Sequence, residues 1–231
     1  DSTDNSTEDD IRDFSTITQA KKLPDKTDVV VQGRVTTLPG QLQDRIVYIQ
    51  DQQAGIQVYF HAAEWPFLEE GDIVTVSGEM RTAYNERRIG ITSSDQIEII
   101  PHSEIIRADQ YVCDDSQVGM LVSVEGTVLK KDSSYVHIRT TECEILVRND
   151  LLSDISKDDI LLVSGVLQLR GDRIFISPRS SGDISLQKEQ ADSHDDSHVL
   201  GASLYTLDDT SDNNLLYSMY FLCAAMIALL M

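Results

Sequence analysis

The chain has 231 residues, a length typical of two domains of ordinary size with tails. A hydrophobic content of 41% is enough for buried cores, whereas a formal net charge of −20 at pH 7 opposes strong non-specific binding to nucleic acid. The charge is uneven, because residues 117–186 carry eight Lys and Arg against ten Asp and Glu, and residues 27–100 carry five against eleven. This distribution leaves room for a local basic groove in the second half.

The N-terminal third predicts a short helix followed by a β-rich module. Residues 1–26 are acidic, and Ile11, Phe14, Ile17 and Ala20 recur at helical spacing. From residue 27 to residue 100 the pattern changes to short runs of alternating Val and Ile, with a linking segment between the third and fourth run. The predicted strands are 28–37, 46–51, 55–60, 73–80 and 87–91, with a short sixth at 96–100.

After a linker at residues 101–116, in which 103–107 is expected to make a helical turn, residues 117–186 repeat the same pattern. Gly126 falls at the place of Gly33, and Gly165 at the place of Gly78. Five short strands with a linking segment before the fourth is the order of an OB-fold. The sequence therefore predicts an all-β protein with two tandem OB-fold-like five-stranded barrels and a C-terminal apolar helix. The second set of predicted strands is 122–128, 135–139, 143–148, 160–167 and 173–176.

The C-terminal part differs in composition from both modules. Residues 187–214 are largely polar and acidic, which is typical of a disordered stalk. Residues 215–231 carry no charge over seventeen positions, which predicts a transmembrane helix that is cut short, with a buried helix packed on a barrel as the alternative. Because the stalk is acidic, we expect the modules to face outward from a cell envelope to which this helix anchors them.

The cysteines and carboxylates give no sign of a metal site. Cys113, Cys143 and Cys223 form no CxxC spacing, and an odd count favours free or buried thiols over a Cys113–Cys143 disulfide. The carboxylates lack the spacing of a calcium-binding loop, and two stalk histidines, His194 and His198, fall in a polar linker. We therefore expect no metal, no cofactor and, since no set of catalytic residues stands out, no enzymatic activity.

Two sequence pieces in the first module carry a family resemblance. They are YIQD-x-x-AGIQVYF at 48–60 and GD-x-V-x-VSGE at 71–79. With their surroundings they resemble the OB-fold modules of bacterial extracellular and cell-surface nucleases, and similar modules beside lamin-tail domains in envelope proteins. The second module matches only in outline, through VEGTV, ILLVSG and DRIFISP. The resemblance implies an accessory module that binds nucleic acid, with the nuclease chemistry in another domain.

An OB-fold binds single strands on the face of its second and third strands and in two neighbouring loops, where aromatic rings stack on bases and arginines contact phosphates. Strand tyrosines are also common for packing alone, and neighbouring acids can neutralise arginines. A continuous positive groove across Arg139, Arg148 and Arg173 would favour nucleic acid, whereas their pairing with acids would favour a protein-binding module. The predicted binding residues are Tyr48, Tyr59, Arg81, Tyr84, Arg87 and Arg88 in the first module, and Tyr135, His137, Arg139, Arg148, Arg170 and Arg173 in the second.

Together these features predict a non-catalytic, envelope-tethered tandem OB-fold protein that binds single-stranded DNA or RNA weakly. One alternative is a module that binds envelope proteins or glycans with the same barrel faces. A second is an accessory part of an extracellular nuclease whose catalytic domain is absent. The net charge favours the protein-binding alternative, whereas the family resemblance favours nucleic acid.

Overall fold

The computed structural model describes residues 14–102 and 106–187. The predicted apolar helix at 215–231, the stalk beyond Gln187 and part of the predicted linker turn lie outside these residues. Within the described ranges, no helix is long and apolar enough to cross a membrane. The predicted N-terminal helix is shorter than its spacing indicates: α1 (Ile17–Ala20) is a single turn, capped by Thr16 and Gln19 in a reciprocal capping box.

The first sheet closes into a five-stranded barrel. Its strands are β1 (Asp28–Val35), β2 (Ile46–Gln50), β3 (Gly55–Phe60), β4 (Ile73–Ala83), β5 (Glu86–Ile91) and β6 (Ile97–Ile100). The order is β1-β2-β3-β5-β4, and pairing of β1 with β4 closes the ring. β3 and β5 run parallel, while the other barrel neighbours are antiparallel. The short β6 adds to β4 outside the ring.

The second sheet repeats this arrangement. Its strands are β7 (Asp109–Gln110), β8 (Leu121–Lys131), β9 (Tyr135–Arg139), β10 (Glu144–Arg148), β11 (Ile160–Arg170), β12 (Arg173–Ser177) and β13 (Ile184–Gln187). The ring runs β8-β9-β10-β12-β11 and closes through β8 and β11, again with one parallel pair, β10 and β12. Two closed five-stranded barrels with this shared strand order are the OB-fold architecture that the repeat predicts.

Alternation of apolar side chains explains each barrel core. In β1, Val29, Val31 and Val35 point inward and are buried, whereas the intervening residues are more exposed. The strands β4, β8 and β11 each extend three residues beyond their predicted ends, because the hairpins that follow them continue the ladder through polar residues. Two separate apolar cores result, one inside each barrel.

The expectation of free thiols is wrong for two of the cysteines. Cys113 and Cys143 form a disulfide with a Cα–Cα distance of 6.0 Å. The bond fastens the segment before β8 to the turn between β9 and β10, which spacing in the sequence could not reveal because the chain between them folds back through two strands. Cys223 lies outside the described residues.

Candidate functional site

The two barrels belong to one compact unit and meet along a close backbone contact. Gly55 of β3 and Gly119 before β8 lie so near each other that a Cβ built on Gly55 would be 2.0 Å from the Gly119 carbonyl oxygen. Lys21 spans the same contact, because its Nζ donates to the Gly55 carbonyl at 3.2 Å and to the Val118 carbonyl at 2.7 Å. Only glycine permits this approach of two backbones.

A buried polar network continues the contact between the barrels. The Tyr48 hydroxyl donates to Glu86 Oε1 at 2.7 Å and accepts from the side-chain amides of Gln57 and Gln168, each at 2.8 Å. Tyr48 has no exposed surface, and it packs with Ile46 and, from the second barrel, Val166. Since a hydroxyl offers one donor and two acceptor sites, this one is fully used.

Glu86 lies at the edge of this network and takes a hydrogen bond from each barrel. Its Oε2 accepts from the backbone N–H of Leu169 at 3.3 Å, while its Oε1 accepts from Tyr48. The carboxyl is 6% exposed. Burial therefore raises the pKa of Glu86 from its ordinary value to about 7, against the lowering effect of its hydrogen bonds and of the nearby Lys21 and Arg88 charges.

A cleft of about 1070 Å³ opens above this network, between the barrels. The elements around it are the loop before β2, the strand β3, the β4–β5 hairpin and, in the second barrel, the loop before β9 and the end of β11. These are the equivalents, in both barrels, of the strand face and loops with which OB-folds bind. The cleft is lined by residues that include Arg45, Gln57, Tyr59, Tyr84, Glu86, Arg88, Tyr135, Arg148, Asp150, Gln168, Arg170 and Phe175.

Two arginine–tyrosine stacks stand in the cleft. The Arg88 guanidinium lies 4.2 Å from the centre of the Tyr59 ring, within the first barrel. The Arg170 guanidinium lies 5.1 Å from the centre of the Tyr84 ring and joins the second barrel to the first. Tyr84 is 70% exposed, at a tight turn where it and Asn85 both have positive φ. Each stack places a cation beside a planar ring, the pair of groups that single-strand binders offer to bases and phosphates.

The cleft arginines differ from most others in having no carboxylate partner. Among the described residues, no ion pair involves Arg45, Arg88 or Arg170, and the buried Nε of Arg88 has no hydrogen-bond acceptor. The exception is Arg148, which pairs with Asp150 at 2.6 Å. Guanidinium groups that form no ion pair have N–H donors left for an anion.

Half of the predicted binding residues converge on the cleft. These six are Tyr59, Tyr84, Arg88, Tyr135, Arg148 and Arg170. Tyr48 does not join them, because it is buried beneath the cleft and its ring has no free face for a base. Arg81, Arg87, His137, Arg139 and Arg173 are not part of the cleft lining.

The remaining predicted residues of the first barrel have local partners. Arg87 reaches back to the segment after α1, where it pairs with Asp25 and donates to the carbonyls of Lys21 and Leu23. Arg81 pairs with Glu79 at 3.0 Å beside a separate, smaller groove. Arg87 therefore holds the segment after α1 to the first barrel, whereas Arg81 makes a partly exposed ion pair within its own strand.

In the second barrel, two of the three arginines whose continuous positive groove would favour nucleic acid are paired with acids. Arg139 pairs with Glu144 at 3.0 Å and Arg148 pairs with Asp150, whereas Arg173 is exposed. The imidazole of His137 contacts Asp132 at 3.1 Å. In the described part of the chain, the arginines without acidic partners therefore lie mainly in the cleft between the barrels, and not on the face of the second barrel.

Sequence reasoning missed Glu86, Gln168 and Phe175 as parts of one site. The signal that the sequence offered was in β2, where the run Ile46-Val47-Tyr48-Ile49 places large nonpolar side chains on both faces of the strand. In the structure all five residues of β2 are buried. A strand without alternation indicates cover on both sides, here by its own core and by the neighbouring barrel. Within the described residues, no group of His, Cys, Asp and Glu could hold a metal ion.

No protein-family model matches the sequence, and neither does any curated protein. Solved structures that resemble it include the hypothetical protein ygiW from E. coli, at 24% identity over 38% of this chain and 89% of that one, with a TM-score of 0.32. The p204 HINb domain matches at 15% identity over 71% and 99% of the two chains, with a TM-score of 0.34. Fission yeast Pot1, in a crystal structure with ssDNA, matches at 10% identity over 77% and 88%, with a TM-score of 0.35.

These scores are low, so the OB-fold assignment depends on the strand order and pairing of the chain itself. The resemblance to extracellular nuclease modules and lamin-tail proteins stays a prediction.

Proposed function

We propose that this chain is a non-catalytic binding protein that takes single-stranded nucleic acid into the cleft between its two barrels. The observation that carries the proposal is the set of three arginines without carboxylate partners, Arg45, Arg88 and Arg170, around a cleft that also presents tyrosine rings. Arginine suits phosphate, and each exposed ring can add about 1–3 kcal/mol per stacked base. Duplex DNA offers no free base faces, so a single strand fits these groups best.

We expect the binding to be weak. The net charge of −20 repels a polyanion at long range and slows its approach, while the cleft supplies only a local attraction. The acidic side chains Asp44 and Asp150 at the cleft reduce its potential further. Such a site suits transient capture of a strand rather than its long-term protection.

A location at the cell envelope, facing outward, is part of the proposal. The Cys113–Cys143 disulfide supports it, because disulfides persist in secreted and surface proteins and are rare in reducing compartments. The uncharged residues at 215–231 support it as a membrane anchor, and so does the resemblance of the first module to those of extracellular nucleases.

A protein-interaction module is the second candidate. The pairing of Arg139 and Arg148 with acids favours it, and so does Phe67, which is 83% exposed in the segment between β3 and β4. Aromatic side chains are enriched at protein–protein interfaces. Phe67 does not line the cleft, so substitutions at Phe67 and at the cleft arginines test the two candidates separately.

Replacing cleft arginines tests the proposal. We expect Arg88→Ala and Arg170→Ala each to raise the dissociation constant for a labelled single-stranded oligonucleotide about five- to tenfold, since each loses a phosphate contact and one side of a stack. Fluorescence anisotropy with the full chain measures this, alongside circular dichroism to confirm folding.

The matched control is Arg139→Ala, which removes the same charge from an exposed site outside the cleft. It should change the dissociation constant less than twofold. Equal effects of all three substitutions would show that the cleft is not the binding site, and a full chain that binds no oligonucleotide at low salt would favour the protein-interaction candidate.

A further inference from the structure

The floor of the cleft holds an ionisable group that the proposed function does not use. Glu86 lines the cleft, and it is the acidic member of the buried network that joins the barrels. As a carboxylate it places a negative charge below the site where a phosphate strand would lie. As a neutral carboxyl it removes that charge and gains an O–H donor.

We propose that binding of a phosphodiester strand in the cleft is coupled to uptake of one proton by Glu86. The inference depends on the proposed function and adds its regulation. When Glu86 is deprotonated, the cleft lining has four positive arginines and three negative carboxylates. When Glu86 is protonated, it has four arginines and two carboxylates. A nucleic-acid strand therefore binds the protonated form of the protein more tightly and, by linkage, its binding favours protonation of Glu86.

The groups that face Glu86 make this proton exchange feasible. From β2 the Tyr48 hydroxyl donates to it, and from β11 it accepts the Leu169 N–H. The charged groups nearby are Lys21 at the end of α1 and Arg88 of β5, which both favour the carboxylate. Burial outweighs them and raises the pKa of Glu86 to about 7, so both protonation states occur near neutral pH.

The neighbouring side chains tolerate both states. Gln57 and Gln168 stay bonded to the Tyr48 hydroxyl, and neither is ionisable. A protonated Glu86 keeps a carbonyl oxygen that still accepts a hydrogen bond from Tyr48. Protonation of Glu86 therefore does not require the contact between the barrels to break, and its main effect is to remove one negative charge from the cleft.

The sign of the pH dependence follows from the acid's chemistry. An acid with a raised pKa is neutral below about pH 7 and charged above it, so anion affinity is high at pH 6 and low at pH 8. A unit charge several ångströms from a phosphate, partly screened by water, changes affinity about five- to tenfold. Because about a tenth of Glu86 is still charged at pH 6 and about a tenth is still neutral at pH 8, we expect the dissociation constant for a poly-dT oligonucleotide to rise about three- to fivefold between these pH values.

The test compares the full chain with Glu86→Gln at constant ionic strength. Gln keeps an oxygen that accepts from Tyr48 but loses the hydrogen bond from the Leu169 N–H, so a thermal unfolding profile first confirms that the variant is folded at the temperature of the binding measurement. The dissociation constant of the wild type should rise about three- to fivefold between pH 6 and pH 8, and Glu86→Gln should bind with a nearly flat pH profile. Asp150→Asn, which neutralises an exposed acid of the same cleft, should shift affinity at all pH values and leave the pH dependence in place.

Two outcomes contradict the proposal in different ways. If wild type and Glu86→Gln bind with the same pH dependence, proton coupling at Glu86 is wrong and the cleft remains the binding site. If neither protein binds the oligonucleotide at any pH, the proposed function itself is wrong, and the coupling falls with it.

Discussion

At the scale of single residues, Tyr48 has a structural role in place of the predicted binding role. Its hydroxyl serves three buried partners, Glu86, Gln57 and Gln168, of which the last belongs to the second barrel. Its ring fills the apolar contact between the barrels. A tyrosine in this position joins the two barrels and has no exposed surface, so we expect it to affect binding through the geometry of the joint.

Removing only the hydroxyl tests this role. We expect Tyr48→Phe to lower the free energy of unfolding by about 2–4 kcal/mol, because three buried polar groups each lose a partner. Urea unfolding followed by circular dichroism measures the change.

Tyr84→Phe is the matched control for this prediction. Tyr84 is exposed, and among the described residues its hydroxyl has no hydrogen-bond partner. The same substitution there should change the free energy of unfolding by less than about 0.5 kcal/mol. A loss at Tyr48 no larger than the loss at Tyr84 would show that the network contributes nothing to stability.

At the scale of elements, the contact between β3 and the segment before β8 sets the position of the barrels. The Gly55 and Gly119 backbones touch, and Gly119 has a φ of +93°, which side chains rarely tolerate. We expect Gly55→Ala to lower the free energy of unfolding by at least about 2 kcal/mol and to weaken oligonucleotide binding, because the added methyl group pushes the barrels apart.

Gly182→Ala provides the comparison for Gly55→Ala. A Cβ at Gly182 meets only the Ser180 hydroxyl, at an ordinary 3.4 Å, and the residue lies away from the joint. It should unfold and bind as the wild type does. If Gly55→Ala behaves in the same way, the close contact between the barrels is not needed for the cleft.

Most elements were predictable from the sequence, whereas their association was not. Alternation of Val and Ile along 29–35 defines a strand and its inner face by local rules alone. The pairing of Tyr48 with Gln168 joins residues that are 120 positions apart, and no periodicity encodes such a contact. The burial of Glu86 likewise depends on a second barrel that covers it.

For the candidate site, residue type indicated which side chains could line the cleft, but the sequence did not show which arginines pair with acids. Half of the predicted binding residues line the cleft, for example Tyr84 and Arg170, and their role in binding stays a prediction. The sequence could not distinguish Arg88, which has no carboxylate partner, from its neighbour Arg87, which pairs with Asp25. That difference arises because alternate residues of a strand point to opposite faces, and only the fold shows which face meets an acid.

At the scale of the whole molecule, the charge of −20 and the cationic cleft act over different distances. The net charge acts at long range and is screened within about 10 Å at 0.1 M salt. The cleft arginines act at contact, where a phosphate displaces its counterions. Binding should therefore be weak overall and still show the salt dependence of direct phosphate contacts.

The salt dependence of oligonucleotide binding by the full chain tests the central claim most directly. With three unpaired arginines in contact, the logarithm of the association constant should fall with the logarithm of salt concentration at a slope of about −2. Titration of a labelled single strand between 25 and about 200 mM salt measures this slope. No binding at the lowest salt, or binding indifferent to salt, would contradict a cleft that binds nucleic acid through its arginines.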